Sequence, residues 1–155
     1  MSAPQERNKF LKRLVFGQYF NYQGIKMFIY TLLRDRRDFI PHVRVHCVSD
    51  INYNKLHSTG IRFVVFDKDN TLTKPYERHF FNDKIKRAVM QDCIKSFGPA
   101  NVAILSNSAG SKDDVGYKEA NEIETTMGLK VIRHEKKKPL IKEDVMNHFR
   151  CIEED

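Results

Sequence analysis

The sequence predicts an α/β fold: a parallel sheet with helices on both faces, preceded by a basic helical N-terminal extension. Three observations predict it. Short apolar runs occur at Arg62-Phe63-Val64-Val65-Phe66, Val102-Ala103-Ile104-Leu105 and Lys130-Val131-Ile132-Arg133, as expected for strands buried on both faces. Helix-periodic segments separate them, so the connections are right-handed crossovers and the strands parallel. The chain has 155 residues, 41% hydrophobic and 30% charged, enough for one domain with a real core, which excludes a disordered tail.

Residues 1–40 differ from the rest, and the phosphate chemistry described below is expected of 41–155. The basic residues of the first segment are Arg7, Lys9, Lys12, Arg13, Lys26, Arg34, Arg36 and Arg37, against only Glu6, Asp35 and Asp38. Phe10, Leu11, Leu14 and Val15 recur at helical spacing, as do Ile25, Phe28, Ile29, Leu32 and Leu33. Gly17 and Gly24 divide the pattern into two amphipathic pieces. Three readings stand: a helical extension packed on the core, an organelle-targeting segment, or an interfacial helix on anionic lipid. No stretch approaches the ~18 uncharged apolar residues of a spanning helix.

Ile40-Pro41 ends this region, and Val43, Val45 and Val48 then alternate like a short strand. In an alternating segment His42 and His46 are not a helical metal pair. After the first apolar run, Ile85, Ala88, Val89 and Cys93 share one helix face, stopped by Phe97-Gly98-Pro99. Tyr117, Ala120, Ile123, Glu124 and Met127 form a second face, with Gly128 as its C-terminal cap. From Lys142 onward Val145, Met146, Phe149 and Ile152 form a last one. Cys47, Cys93 and Cys151 are odd in number and lack CxxC spacing. They read as small hydrophobes in a reducing compartment, not as a disulfide or zinc framework.

The formal net charge of +7 favours polyanionic partners: nucleic acid, an acidic membrane surface or phosphorylated substrates. In a parallel sheet ligands bind beyond the carboxyl ends of the strands. The first end carries Asp67-Lys68-Asp69-Asn70-Thr71-Leu72-Thr73. Two carboxylates there could attack phosphorus, transfer a proton, or hold Mg²⁺; alternatively they cap the following helix. The second end carries Ser106-Asn107-Ser108-Ala109-Gly110-Ser111. Its hydroxyls and backbone N–H groups suit an anion, while a plain loop with Asp113 or Asp114 as N-cap is the alternative. The third carries His134-Glu135-Lys136-Lys137-Lys138-Pro139. Lys138, fixed by the proline after it, is the preferred phosphate cation, with Lys137 as the alternative.

The order Asp67-x-Asp69-x-Thr71, then Ser106, then Lys138 before a proline resembles the haloacid dehalogenase (HAD) superfamily of phosphohydrolases. The fuller run from Phe66 through Thr73-Lys74-Pro75-Tyr76 resembles a narrower group, the HAD-type phosphatidylglycerophosphate phosphatases of the mitochondrial cardiolipin pathway and their bacterial relatives. Ser106-Asn107-Ser108-Ala109-Gly110, Arg133-His134 through Lys137-Lys138-Pro139, and Pro41-His42 fit that group too.

This resemblance implies a Rossmann-like, HAD-like sheet and hydrolysis of phosphatidylglycerophosphate to phosphatidylglycerol. Asp67 is then the nucleophile that forms an aspartyl-phosphate, and Asp69 the acid and base. Mg²⁺ lies on a carboxylate oxygen of Asp67 and the backbone carbonyl of Asp69, and Ser106, Asn107 and Lys138 hold the phosphate. It further implies an anionic phospholipid substrate, peripheral contact with an anionic membrane, no nucleic acid, and a place on the matrix side of the mitochondrial inner membrane. The family's fourth motif, a strand ending in Gly-Asp with another Asp beyond, has no counterpart here. Glu153, Glu154 and Asp155 follow no apolar strand and are not assigned as ligands. A truncated chain or a form with impaired catalysis is therefore expected. The competing readings are a HAD phosphatase acting on a soluble or nucleic-acid phosphate ester, and a non-enzymatic fragment that binds membrane or a partner.

Overall fold

The structure, a computed structural model, describes residues 22–34, 40–136, 138 and 140–150. Two compact units divide it, Met1–His42 and Val43–Asp155. The first holds helix α1, Tyr22–Arg34. This helix starts ahead of Gly24, so that glycine does not break it. Ile25, Phe28, Ile29 and Leu33 are exposed. The upstream stripe Phe10–Val15 and both Lys137 and Ile152 lie outside the described residues. Among the described residues no helix is long and apolar enough to cross a membrane.

In the second unit the expected strand around Val43 and Val45 does not form. Both valines are exposed, and Val48–Asp50 is a 3₁₀ turn. Alternation makes a strand only where a neighbour offers a ladder, and here the Val48 carbonyl instead accepts the Tyr53 hydroxyl at 2.8 Å. Helix α2, Tyr53–Ser58, follows; the Asn52 side chain caps it by accepting the Lys55 N–H at 2.9 Å.

Strands β1 (Val64–Asp67), β2 (Val102–Leu105) and β3 (Lys130–Val131) form one parallel sheet in the order β1-β2-β3. Strand β3 is shorter than its apolar run, but its backbone keeps the register: the Ile132 N–H donates to the Ile104 carbonyl at 2.9 Å. The first crossover contains α3 (Asp83–Arg87), a π-helical turn (Ala88–Cys93) and α4 (Ile94–Phe97). Ile85, Ala88, Val89, Cys93 and Phe97 are buried along it, and Gly98 ends it at φ 81°. The second contains α5 (Lys118–Met127), which buries Ala120, Ile123 and Met127 and stops at left-handed Gly128.

The two crossover helices and Tyr53 pack with Phe66, Val102, Ile104 and Val131 into the main core on one sheet face. On the other face Ala103, Leu105, Ile132 and Ile141 meet Val145 and Phe149 of the region around α6 (Lys142–His148). Helices therefore cover both faces, unequally. All of β2 is buried, whereas β1 alternates, with Val65 36% exposed. The expectation that β1 is buried on both faces is thus corrected. Among the described residues β1 has a strand neighbour on one side only, and the second core lies over β2 and β3.

Candidate active site

Parallel pairing brings the three strand ends to one edge. Asp67 stands beside Leu105 and Ile104 beside Val131 in the ladders, so Asp67, Ser106 and the residues after Arg133 leave the sheet together. Beyond Asp67 the chain turns tightly about the Lys68 carbonyl, which accepts N–H bonds from Leu72 at 3.0 Å and Thr73 at 3.1 Å. Asn70 takes φ 61° at the bend, a left-handed conformation that asparagine tolerates better than most residues. Leu72 is wholly buried and anchors the turn. Asn70 and Leu72 thus serve the turn that presents the acids.

Both carboxylates emerge partly exposed, Asp67 with 50% and Asp69 with 40% of its side chain accessible. Lys68, between them, turns inward and is 1% exposed. Its amine donates to Asp69 Oδ1 at 2.5 Å, the Glu77 carbonyl at 3.0 Å and the Thr73 hydroxyl at 3.5 Å. Three ammonium protons meet three acceptors, which is what makes burial of this charge tolerable. Asp69 Oδ1 also accepts the Tyr76 N–H at 3.3 Å. Both donors are on Oδ1, which orients the carboxyl and leaves Oδ2 for chemistry.

Lys138 is ion-paired through Nζ to Asp67 Oδ1. The preferred lysine of the third strand end is thereby joined to the acid of the first. Ser106 is buried, and its hydroxyl oxygen accepts the N–H groups of Ser108 at 3.3 Å and Ala109 at 3.4 Å, so it shapes its own loop. Asn107 is exposed beside it, with no contact that joins it to Asp67.

The capping alternative for this loop is also realised. Asp114 accepts the N–H groups of Gly110 at 3.0 Å, Glu119 at 2.9 Å and Ala120 at 3.0 Å, binding the loop to the first turn of α5. Burial pushes the Asp114 carboxyl up, but these three backbone bonds and nearby Arg133 outweigh it and hold the group below the usual carboxylate range.

Sequence reasoning assigned no role to Lys68 or His134. The ring of His134, 3% exposed, spans the second and third loops, with Nε2 2.7 Å from the Ser106 carbonyl and Nδ1 2.6 Å from that of Lys136. A signal existed for Lys68: in an extended segment the residue between two same-facing carboxylates points the opposite way, towards the core.

For Mg²⁺ the donor chemistry fits, since Asp67 and Asp69 present hard carboxylate oxygens at one accessible edge. Among the described residues no group of three or more His, Cys, Asp or Glu side chains gathers there or elsewhere. A cleft of about 500 Å³ borders the same turn, lined by residues that include Val45, Cys47, Asn70, Thr71, Lys74 and Phe81.

A sequence profile described as mitochondrial PGP phosphatase matches residues 23–154. The chain belongs to the mitochondrial PGP phosphatase family. It is 36% identical over 141 residues to a phosphatidylglycerophosphate phosphatase 1, chloroplastic/mitochondrial, of Arabidopsis thaliana, covering 90% of this chain and 40% of that protein. It is 31% identical over 123 residues to the chloroplastic phosphatidylglycerophosphate phosphatase 1 of Chlamydomonas reinhardtii, covering 79% and 45% of the two chains. Against a probable mitochondrial phosphatidylglycerophosphatase of Schizosaccharomyces pombe the identity is 31% over 139 residues, covering 83% and 65%. The chain thus spans from two fifths to just under two thirds of these curated PGP phosphatase relatives. No solved structure gives a significant match.

Proposed function

We propose that this member of the PGP phosphatase family hydrolyses phosphatidylglycerophosphate to phosphatidylglycerol by a HAD-type route through an aspartyl-phosphate. The single observation that carries the reading is the Lys138–Asp67 ion pair, which sets a cation of the third strand end on the carboxylate of the first. Asp67 attacks phosphorus, and the bond to the glycerol oxygen breaks. Asp69, oriented through Oδ1, gives its proton to that oxygen and later takes one from the water that hydrolyses the acyl phosphate. Lys138 exchanges its Asp67 partner for a phosphoryl oxygen, and Ser106 and Asn107 line the remaining side. Asp67 and the backbone carbonyl of Asp69 would hold a divalent cation, Mg²⁺ by expectation, which would supply further positive charge for the phosphoryl oxygens.

The names of the relatives support a mitochondrial place, and we assign the chain to the matrix side of the inner membrane. Peripheral attachment there rests on the basic segment 1–40, each lysine or arginine near an anionic surface contributing about 1 kcal/mol. The test is phosphate release from phosphatidylglycerophosphate in vesicles by the full chain with Mg²⁺. Slow release by the parent that needs high Mg²⁺, none by a folded Asp67→Asn variant, and a beryllium fluoride adduct on Asp67 are expected. An adduct on Ser106 or Cys93, or a parent that neither releases phosphate nor forms any adduct, overturns the reading.

A further inference from the structure

The buried imidazole of His134 serves neither as nucleophile nor as acid in this chemistry, yet it holds two of the site's three loops. Its backbone N–H donates to the Gly110 carbonyl at 2.8 Å, at the far end of the Ser106 loop. Its Nε2 lies 2.7 Å from the Ser106 carbonyl, at the near end of the same loop, and its Nδ1 2.6 Å from the carbonyl of Lys136, two residues before Lys138. Carbonyl oxygens only accept, so the ring acts on these two loops as a donor. Burial excludes water from competing for these contacts.

We infer that His134 is a positioning residue that fixes the distance between Ser106 and Lys138, and so shapes the phosphate site from beneath. The inference rests on the proposed phosphatase reading only in taking those two residues as phosphate contacts.

Its probe is inorganic phosphate, bound to the full chain and followed through the amide resonances of residues 106–110, with thermal unfolding recorded in parallel. In His134→Ala, which loses both ring contacts, the phosphate dissociation constant should rise about ten-fold or more. His134→Gln, whose amide can still donate towards the Ser106 carbonyl, should recover part of that affinity. If His134→Ala does not fold, the Gln variant alone should still bind phosphate more weakly than the parent. A merely structural histidine would lower the melting temperature and leave the affinity of the folded fraction unchanged, which overturns the inference. So does a parent chain that binds no phosphate. Failure of the substrate reading looks different: phosphate binds and responds to His134, while phosphatidylglycerophosphate is not hydrolysed.

Discussion

A lysine with 1% of its surface exposed stands between the two candidate carboxylates, its amine met by Asp69, Glu77 and Thr73. Removing that charge would leave the Asp69 carboxylate without its closest donor and the Glu77 carbonyl unpaired. Asp69 is partly accessible and can recover water, which reduces the penalty. Lys68→Met should therefore cost about 1–3 kcal/mol, the range for an abandoned buried polar partner, read as a lower urea midpoint with unchanged slope. Asp69→Asn tests the acid-base role directly. Turnover should fall by about 10²- to 10⁴-fold, the usual contribution of a positioned proton-transfer group. Near-normal turnover, with a leaving group that needs protonation, would show that Asp69 does something else.

The loop after β2 is held by contacts that a single methyl group would break. Gly110 sits at φ 81° with the Ile132 carbonyl 2.5 Å from where a Cβ would stand, while Gly98, at the same φ, faces open space. Both positions strain a side chain, but only one also forces backbone apart. Gly98→Ala should cost roughly 1 kcal/mol and Gly110→Ala clearly more, about 2–4 kcal/mol, measured by chemical denaturation of the two variants side by side. Asp114 ties the same loop to α5, and its carboxyl titrates below the usual range. A carboxyl depressed in the folded state adds stability above its unfolded pKa of about 3.9. That stability is lost as pH falls through the lower folded value. Between pH 5 and pH 2 the parent should therefore lose stability more steeply than Asp114→Ala, whose curve should start lower and run flatter. Parallel curves would mean that the three backbone bonds to Asp114 do not survive in solution.

Across the whole chain, basic residues outnumber acidic ones most strongly in the first 40, eight against three. If that segment makes the membrane contact, the chain should sediment with anionic vesicles, and deletion of residues 1–33 should abolish this. Salt should weaken it, since exposed charge is screened over about 8 Å at physiological ionic strength. A folded deletion variant that binds as well as the parent would move the contact to the side of Lys136 and Lys138.

Much of this architecture was legible in the sequence because its signals are local. Apolar runs mark β2 and the start of the site, helical spacing marks the buried faces of α3 to α5, and Gly98 and Gly128 mark stops that positive φ explains. The acids and Lys138 could be placed at strand ends for the same reason, since a strand end is visible in the chain itself. Local pattern failed where pairing decided the outcome. Val43 and Val45 alternate but find no ladder, and β1 leaves Val65 exposed because the second core lies over its neighbours. Nor does any local signal show that Lys138 reaches a carboxylate 71 positions earlier, or that His134 meets a carbonyl 28 positions away. Periodicity along a chain says which face of an element is apolar; which elements meet, and so which buried charge finds its acceptors, follows only when the sheet has assembled.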